Sequence, residues 1–214
     1  MLARPSVGRD AAQHERPAVI AIIDYKAGNL ASVKKAFDHI GAESVVTDDP
    51  DVVRKADKVV LPGVGHFAAT RGLDNGIRGA VDEAIKAGKP FLGICVGMQW
   101  MFTGSTESPD TKGLGVIECA CDRFSTQVKS PHVGWNQLIC TRPQSRLMRG
   151  VESCAYVYFT HSYRAPVVPE TVAETIYGAP FSAAVERDNI FGVQFHPEKS
   201  GDTGLRILRN FCEL

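Results

Sequence analysis

Gly93-Ile94-Cys95-Val96-Gly97 sets a cysteine midway between two glycines, directly after the apolar run Phe91-Leu92. A nucleophile carried on a sharp strand-to-helix turn needs a strained backbone, and glycines two residues to either side keep neighbouring side chains clear of it. The turn delivers the thiol to the start of a helical segment, Met98 to Phe102, where oriented N–H groups and the helix dipole favour the thiolate. Val96 N–H is then the natural donor to the oxyanion that attack on a carbonyl creates. A buried cysteine in a glycine-bounded turn has the same local pattern, so the chemistry requires a base. Phe191 to Phe195 is an apolar strand ending in His196-Pro197-Glu198. Pro197 holds itself and His196 extended, and residues two apart in extended chain share a face, the layout of a base and its orienting carboxylate. An isolated His-Pro-Glu also fits a surface turn; its force comes from pairing with the cysteine motif.

Leu61-Pro62-Gly63-Val64-Gly65 ends a further strand, and Val64 N–H could serve as the second oxyanion donor. Gly63 to Ala68 also matches the dinucleotide pattern G-x-G-x-x-A. It follows a later strand rather than the first, however, and Asp82 or Glu83, at the distance of a ribose-binding acid, falls inside a helical segment.

These motifs must be positioned by a sheet. Ala18 to Asp24 is a continuous apolar run, as a buried parallel strand should be, and Leu30 to Ile40 follows with Val33, Ala36, Phe37 and Ile40 at helical spacing and Gly41 at the C-cap. Ser44–Thr47, Lys58–Leu61 and Phe91–Ile94 read as strands, Leu73–Ala87 as a helix closed by Gly88. This alternation predicts a three-layer α/β fold with a central, mostly parallel sheet. Five extended stretches follow: Gly115–Phe124, His132–Thr141, Ala155–Arg164, Thr171–Tyr177 and Ala183–Val193. They predict antiparallel additions, and Thr203–Cys212 closes the chain as a helix.

The 214 residues suit one domain, expected over residues 18–214, with residues 1–17 a disordered extension whose mixed charges fit neither a secretory signal nor a membrane span. A targeting leader is the minor alternative there. Lys and Arg number 24 against 24 Asp and Glu, which gives no electrostatic reason to expect nucleic acid or an anionic membrane as partner. The six cysteines have irregular spacings without a zinc or redox motif, as expected for reduced thiols in the cytoplasm and for a protein without metal.

Cys95, His196 and Glu198, in this order and on these motifs, resemble the triad of the class I glutamine amidotransferases, and the resemblance runs from Val19 to the C-terminus. It implies their flavodoxin-like fold. Within that family, Asp24 to Asn29, Leu61 to Phe67, Pro131 to Asn136, Phe159 to Arg164 and Gln194 to Ser200 are similar to the glutaminases of histidine biosynthesis. The resemblance implies hydrolysis of L-glutamine through a Cys95 thioester without a cofactor. Gly63, Gln99, Ser162 and Tyr163 would line the glutamine pocket, the last two at least partly through backbone. Asn29, His132, Trp135, Tyr158 and Lys199 would face a (β/α)₈-barrel cyclase, which uses the ammonia to make imidazole glycerol phosphate and an aminoimidazole carboxamide ribotide. Taken without the resemblance, Trp135 and Tyr158 also fit core aromatics, and Gln99, Ser162 and Lys199 fit ordinary solvated positions. Val96 stands where Leu is usual, and the extension before Val19 is atypical. The alternatives are a glutaminase of another pathway, a non-catalytic interaction subunit of the same fold, and a free-standing cysteine hydrolase.

Overall fold

The computed structural model describes residues 18–214; the expectation for residues 1–17 lies outside the described residues. Strand β1 (Ile20–Ile23) is fully buried. It leads to helix α1 (Leu30–His39), which buries Val33, Ala36 and Phe37 and ends where Gly41 (φ +77°) turns the chain back so that Ala42 N–H reaches Phe37 C=O. After strand β2 (Ser44–Thr47), Asp49 accepts Asp51 N–H and Pro50 opens the short helix α2 (Pro50–Lys55). Strand β3 (Lys58–Gly63) extends two residues past its expected end. The helix expected over Leu73–Ala87 is two pieces, a 3-10 segment Phe67–Asp74 and helix α3 (Ile77–Lys86), because Gly76 at φ +106° breaks the chain between them.

Strand β4 (Phe91–Cys95) runs straight into helix α4 (Val96–Gln99), a single turn rather than the expected Met98–Phe102 helix. After this turn the chain leaves the helix: Met101 N–H bonds Met98 C=O in a 3-10 step, while Trp100 C=O accepts Leu114 N–H and Met101 C=O accepts Val116 and Ile117 N–H. Phe102–Ser105 already forms strand β5, followed by β6 (Ile117–Arg123). The next expected stretches each divide: His132–Thr141 into β7 (His132–Gln137) and β8 (Ile139–Cys140), Ala155–Arg164 into β9 (Tyr156–His161) and β10 (Tyr163–Arg164). Strand β11 (Thr171–Tyr177) precedes the hairpin β12 (Ala179–Arg187) and β13 (Ile190–Val193), turned at Asp188 with φ +52°. The 3-10 turn Pro197–Lys199 and helix α5 (Gly201–Cys212) close the fold.

The eight-stranded sheet has the order β2-β1-β3-β4-β13-β12-β11-β8. β2 through β13 in that order run parallel, and β12, β11 and β8 are the antiparallel additions. Every residue of β1, β3, β4 and β13 is buried, so both faces of the parallel part are covered, as a three-layer α/β fold requires. Smaller sheets β10-β6-β5 and β7-β9 flank it.

The carboxyl ends of β3, β4 and β13 lie side by side, the place where ligands bind in open α/β sheets. Packing there is tight: a Cβ on Gly93 would lie 2.5 Å from Gly97 carbonyl oxygen, and one on Gly97 would overlap the Leu61 carbonyl of β3. Neither neighbour is a flexible side chain. Gly97→Ala is therefore expected to cost about 3 kcal/mol or more in a denaturant melt. Gly79→Ala, in α3 with open space around its Cβ, should instead add about 0.5–1 kcal/mol. Equal effects of the two would mean that the turn is not under steric constraint.

Candidate active site

Cys95 ends β4 with φ +55° and ψ −109°, a conformation a non-glycine residue holds only when its surroundings impose it. Its thiol is nearly buried, 4.0 Å from Thr160 carbonyl oxygen and 3.6 Å from Gln194 Nε2. Because α4 is a single turn, no long-helix dipole acts on the sulfur.

His196 hangs beyond β13, its N–H bonded to Tyr158 C=O of β9. Its backbone is extended as expected, but Pro197–Lys199 is 3-10, so Glu198 reaches the imidazole by curling back, not by strand alternation. A carboxylate can only accept, so His196 Nδ1–H donates to Glu198 Oε1, at 2.9 Å, with both side chains about 1% exposed. That bond fixes the tautomer and leaves Nε2 directed inward, buried and without a hydrogen-bond partner. Burial opposes the imidazolium, yet the charge of Cys95 and the carboxylate of Glu198 outweigh it and raise His196 to about 10. Asn29 Nδ2 also approaches Glu198 Oε1, at 3.5 Å.

A cavity of about 230 Å³ opens beside the thiol, lined by Gly65, Cys95, Val96, Gln99, Glu107, Pro131, Thr160, His161, Ser162 and Tyr163. Gln99, Ser162 and Tyr163, expected at a glutamine pocket, are among its lining residues. Gly63 does not line it: it pairs with Cys95 across β3 and β4, and a Cβ there would sit 2.6 Å from Tyr25 Oη and 2.7 Å from Gly97 N, so it is packed under the elbow. Val64 follows it, half-buried, and Gly65 (φ +91°) supplies the pocket wall from this loop. Pro131, Thr160 and His161 lie in segments that carry the resemblance but were given no role there, and Glu107 lies in none of them. Glu107 comes from the loop after β5, where its carboxylate accepts Phe67 N–H at 2.7 Å.

The residues expected at a partner surface separate by strand alternation. Trp135 is 55% exposed on the outer face of β7, packed edge-on to Tyr158 of β9, and Lys199 Nζ lies 5.8 Å from the Tyr158 ring centroid. Val133 and Tyr156 extend this apolar face. His132 does not belong to it: one residue out of phase, it points inward, buried and stacked between Phe159 and Tyr177, so its expected place at the surface is corrected to the core. Asn29 is half-buried beside Glu198.

A family model described as glutamine amidotransferase class-I matches residues 21–214. The imidazole glycerol phosphate synthase subunit HisH of Methanothermobacter thermautotrophicus is 49% identical over 197 residues, 92% of this chain and 98% of that protein. The subunit of the same name from Geobacter metallireducens is 50% identical over 208 residues, 91% and 98% of the two chains. A crystal structure described as a glutamine amidotransferase superposes with a TM-score of 0.73 at 19% identity, covering 91% of this chain and 97% of that one. A chain of PurLQS from Thermotoga maritima gives 0.74 at 17% identity, covering 92% and 99%. At those identities the structural likeness speaks for the fold alone. Matched along nearly all of its described length, the chain belongs to the class I glutamine amidotransferases and, among them, to the HisH family of glutaminase subunits.

Proposed function

We propose that Cys95 attacks the side-chain amide carbon of L-glutamine, that His196 protonates the departing nitrogen as ammonia, and that His196 then takes a proton from water as the hydroxide cleaves the γ-glutamyl thioester. Glutamate leaves and the thiol is restored. No cofactor enters these steps. The observation that carries this reading is a strained, buried cysteine that lines one small polar cavity and interacts with the imidazole of an oriented, buried His196–Glu198 pair. Val96 N–H and Val64 N–H are the oxyanion donors.

Gln99, Ser162 and Tyr163 bind the substrate, and Glu107 offers a carboxylate to its α-ammonium group. Glu107→Gln is accordingly expected to raise KM for glutamine about ten-fold with kcat little changed. A fall in kcat at constant KM would remove Glu107 from substrate binding.

The partner is a (β/α)₈-barrel cyclase that consumes the ammonia to give imidazole glycerol phosphate and an aminoimidazole carboxamide ribotide. The relatives are named as subunits of the synthase of that product, and the outer face of exposed Val133, Trp135 and Tyr156 with half-buried Tyr158, and Lys199 beside it, supports docking there. This face runs into Thr160, whose carbonyl lies against the Cys95 sulfur, so a docked partner sits next to the point of ammonia release. Val64 turns its N–H inward when the cyclase binds its nucleotide, which prevents wasteful hydrolysis. The test is glutamate release by the chain alone and with the cyclase and nucleotide. Activity that is low alone and rises strongly in the complex is expected; equal activity in both would point to a free-standing hydrolase or another amidotransferase.

A further inference from the structure

Two polar groups reach the Cys95 sulfur, and they favour opposite protonation states. Thr160 carbonyl oxygen can only accept, so it suits the thiol; Gln194 Nε2 can only donate, so it suits the thiolate. His196 Nε2 makes no well-formed hydrogen bond here, although its imidazole and Cys95 act on each other by charge. We infer that Gln194 is a catalytic residue of the glutaminase reaction: its side-chain N–H donates to the Cys95 sulfur and stabilises the attacking thiolate. Gln99, in addition to facing substrate, is the residue that holds the Gln194 amide in the donating orientation.

The orientation follows from one backbone carbonyl. Tyr163 C=O can only accept, so the Gln99 atom 2.8 Å from it is Nε2. The same nitrogen lies 3.1 Å from a Gln194 side-chain atom, which must therefore be the acceptor Oε1. Gln194 Nε2 is thereby left facing the sulfur at 3.6 Å, a distance suited to the large, diffuse acceptor. Its backbone is pinned as well, because β13 pairs Val193 with Ile94 and Gln194 N–H bonds Ala183 C=O. Gln194 is 0% exposed and Gln99 is 2% exposed. Water therefore does not compete for the amide, and a buried N–H is better satisfied by an anion than by a thiol. A neutral donor also adds no second cation beside His196, so the thiolate gains stability at only a modest cost in the basicity that nucleophilic attack needs.

This inference rests on Cys95 being the nucleophile, and its test reads the sulfur directly. Iodoacetamide alkylation of the Cys95 peptide is followed by mass across about pH 5 to 10 in the full chain and in Gln194→Met, Gln194→Glu and Gln99→Met, with a thermal melt of each. Met matches the volume of Gln but cannot donate, so the alkylation midpoint should rise by about one pH unit, a ten-fold loss of thiolate. Gln194→Glu should raise it further, and Gln99→Met, which frees the amide to turn, by less. An unchanged or lowered midpoint in a cooperatively melting Gln194→Met overturns the proposal; should that variant not fold, an unchanged midpoint in Gln99→Met does so. Glutaminase activity that survives Cys95→Ala would instead sink the nucleophile assignment, an outcome the alkylation curves cannot mimic.

Discussion

Cys95→Ala is expected to reduce steady-state glutamate release by roughly 10⁵-fold, and adding His196→Ala to it should make the loss no greater. A nucleophile and its base act as one unit, so removing either takes away nearly everything the pair contributes, and the second removal finds little left to remove. The geometry demands this behaviour: His196 is buried with Nδ1–H committed to Glu198, and the charge of Cys95 is part of what holds it as imidazolium. Glu198→Gln should be milder, about 10²- to 10⁴-fold, because it spares nucleophile and base and removes only the group that orients the ring. The measurement is glutamate production in the presence of the proposed cyclase partner. Independent, multiplicative losses for Cys95→Ala and His196→Ala would show that the two do not share a step.

The second large effect is on stability in mild acid. His132 and His161 lie in an aromatic cluster with Phe124, Phe159, Tyr177 and Phe181. Each is held neutral by a chain of bonds whose direction is fixed: His161 Nδ1–H donates to Tyr163 C=O, His132 Nδ1–H donates to His161 Nε2, and His132 Nε2 accepts from Asn136 Nδ2. Burial pushes His132 down to about 4. Burial, with His132 and His196 nearby adding to it against the opposing Tyr163 carbonyl, pushes His161 down to about 3. Both folded values lie below the unfolded value of 6.5. The unfolded chain therefore binds two protons that the native state refuses, and stability falls as pH drops through 6.5, flattening only near 4 to 3. From pH 7 to 5, above the range of ordinary carboxylates, the two together should cost about 4 kcal/mol. That is a large part of the 5–15 kcal/mol typical of a domain. Urea melts at pH 7, 6 and 5 test it. His132→Phe/His161→Phe should flatten the profile, since Asn136 keeps Ile176 C=O as an acceptor and Tyr163 C=O keeps Gln99 as a donor. A wild-type stability constant over that interval would mean that neither imidazole is held neutral.

The division between what the residues announced and what the fold supplied follows the range of the interactions involved. By itself the sequence determined the three-layer α/β architecture, the parallel strands up to β4 and the elbow at Cys95, because each of these is written in local hydrophobic period and in glycines two residues from the turn. The partners His196 and Glu198 were also legible, each at the end of an apolar strand. Element limits were lost where contacts came from far away: after α4 the Trp100 and Met101 carbonyls turn to Leu114, Val116 and Ile117, and the stretch Ala155–Arg164 divides at Ser162, whose carbonyl is taken by Phe124. Only the tertiary structure brought Glu107 and His161 to the cavity, turned His132 inward by strand phase, and set Gln194 between Gln99 and the sulfur, residues separated by 95 and 99 positions. A buried hydrogen bond between distant strands has no period and no spacing. It exists only once the sheet has placed both ends within 4 Å of one another in a medium without water to replace them.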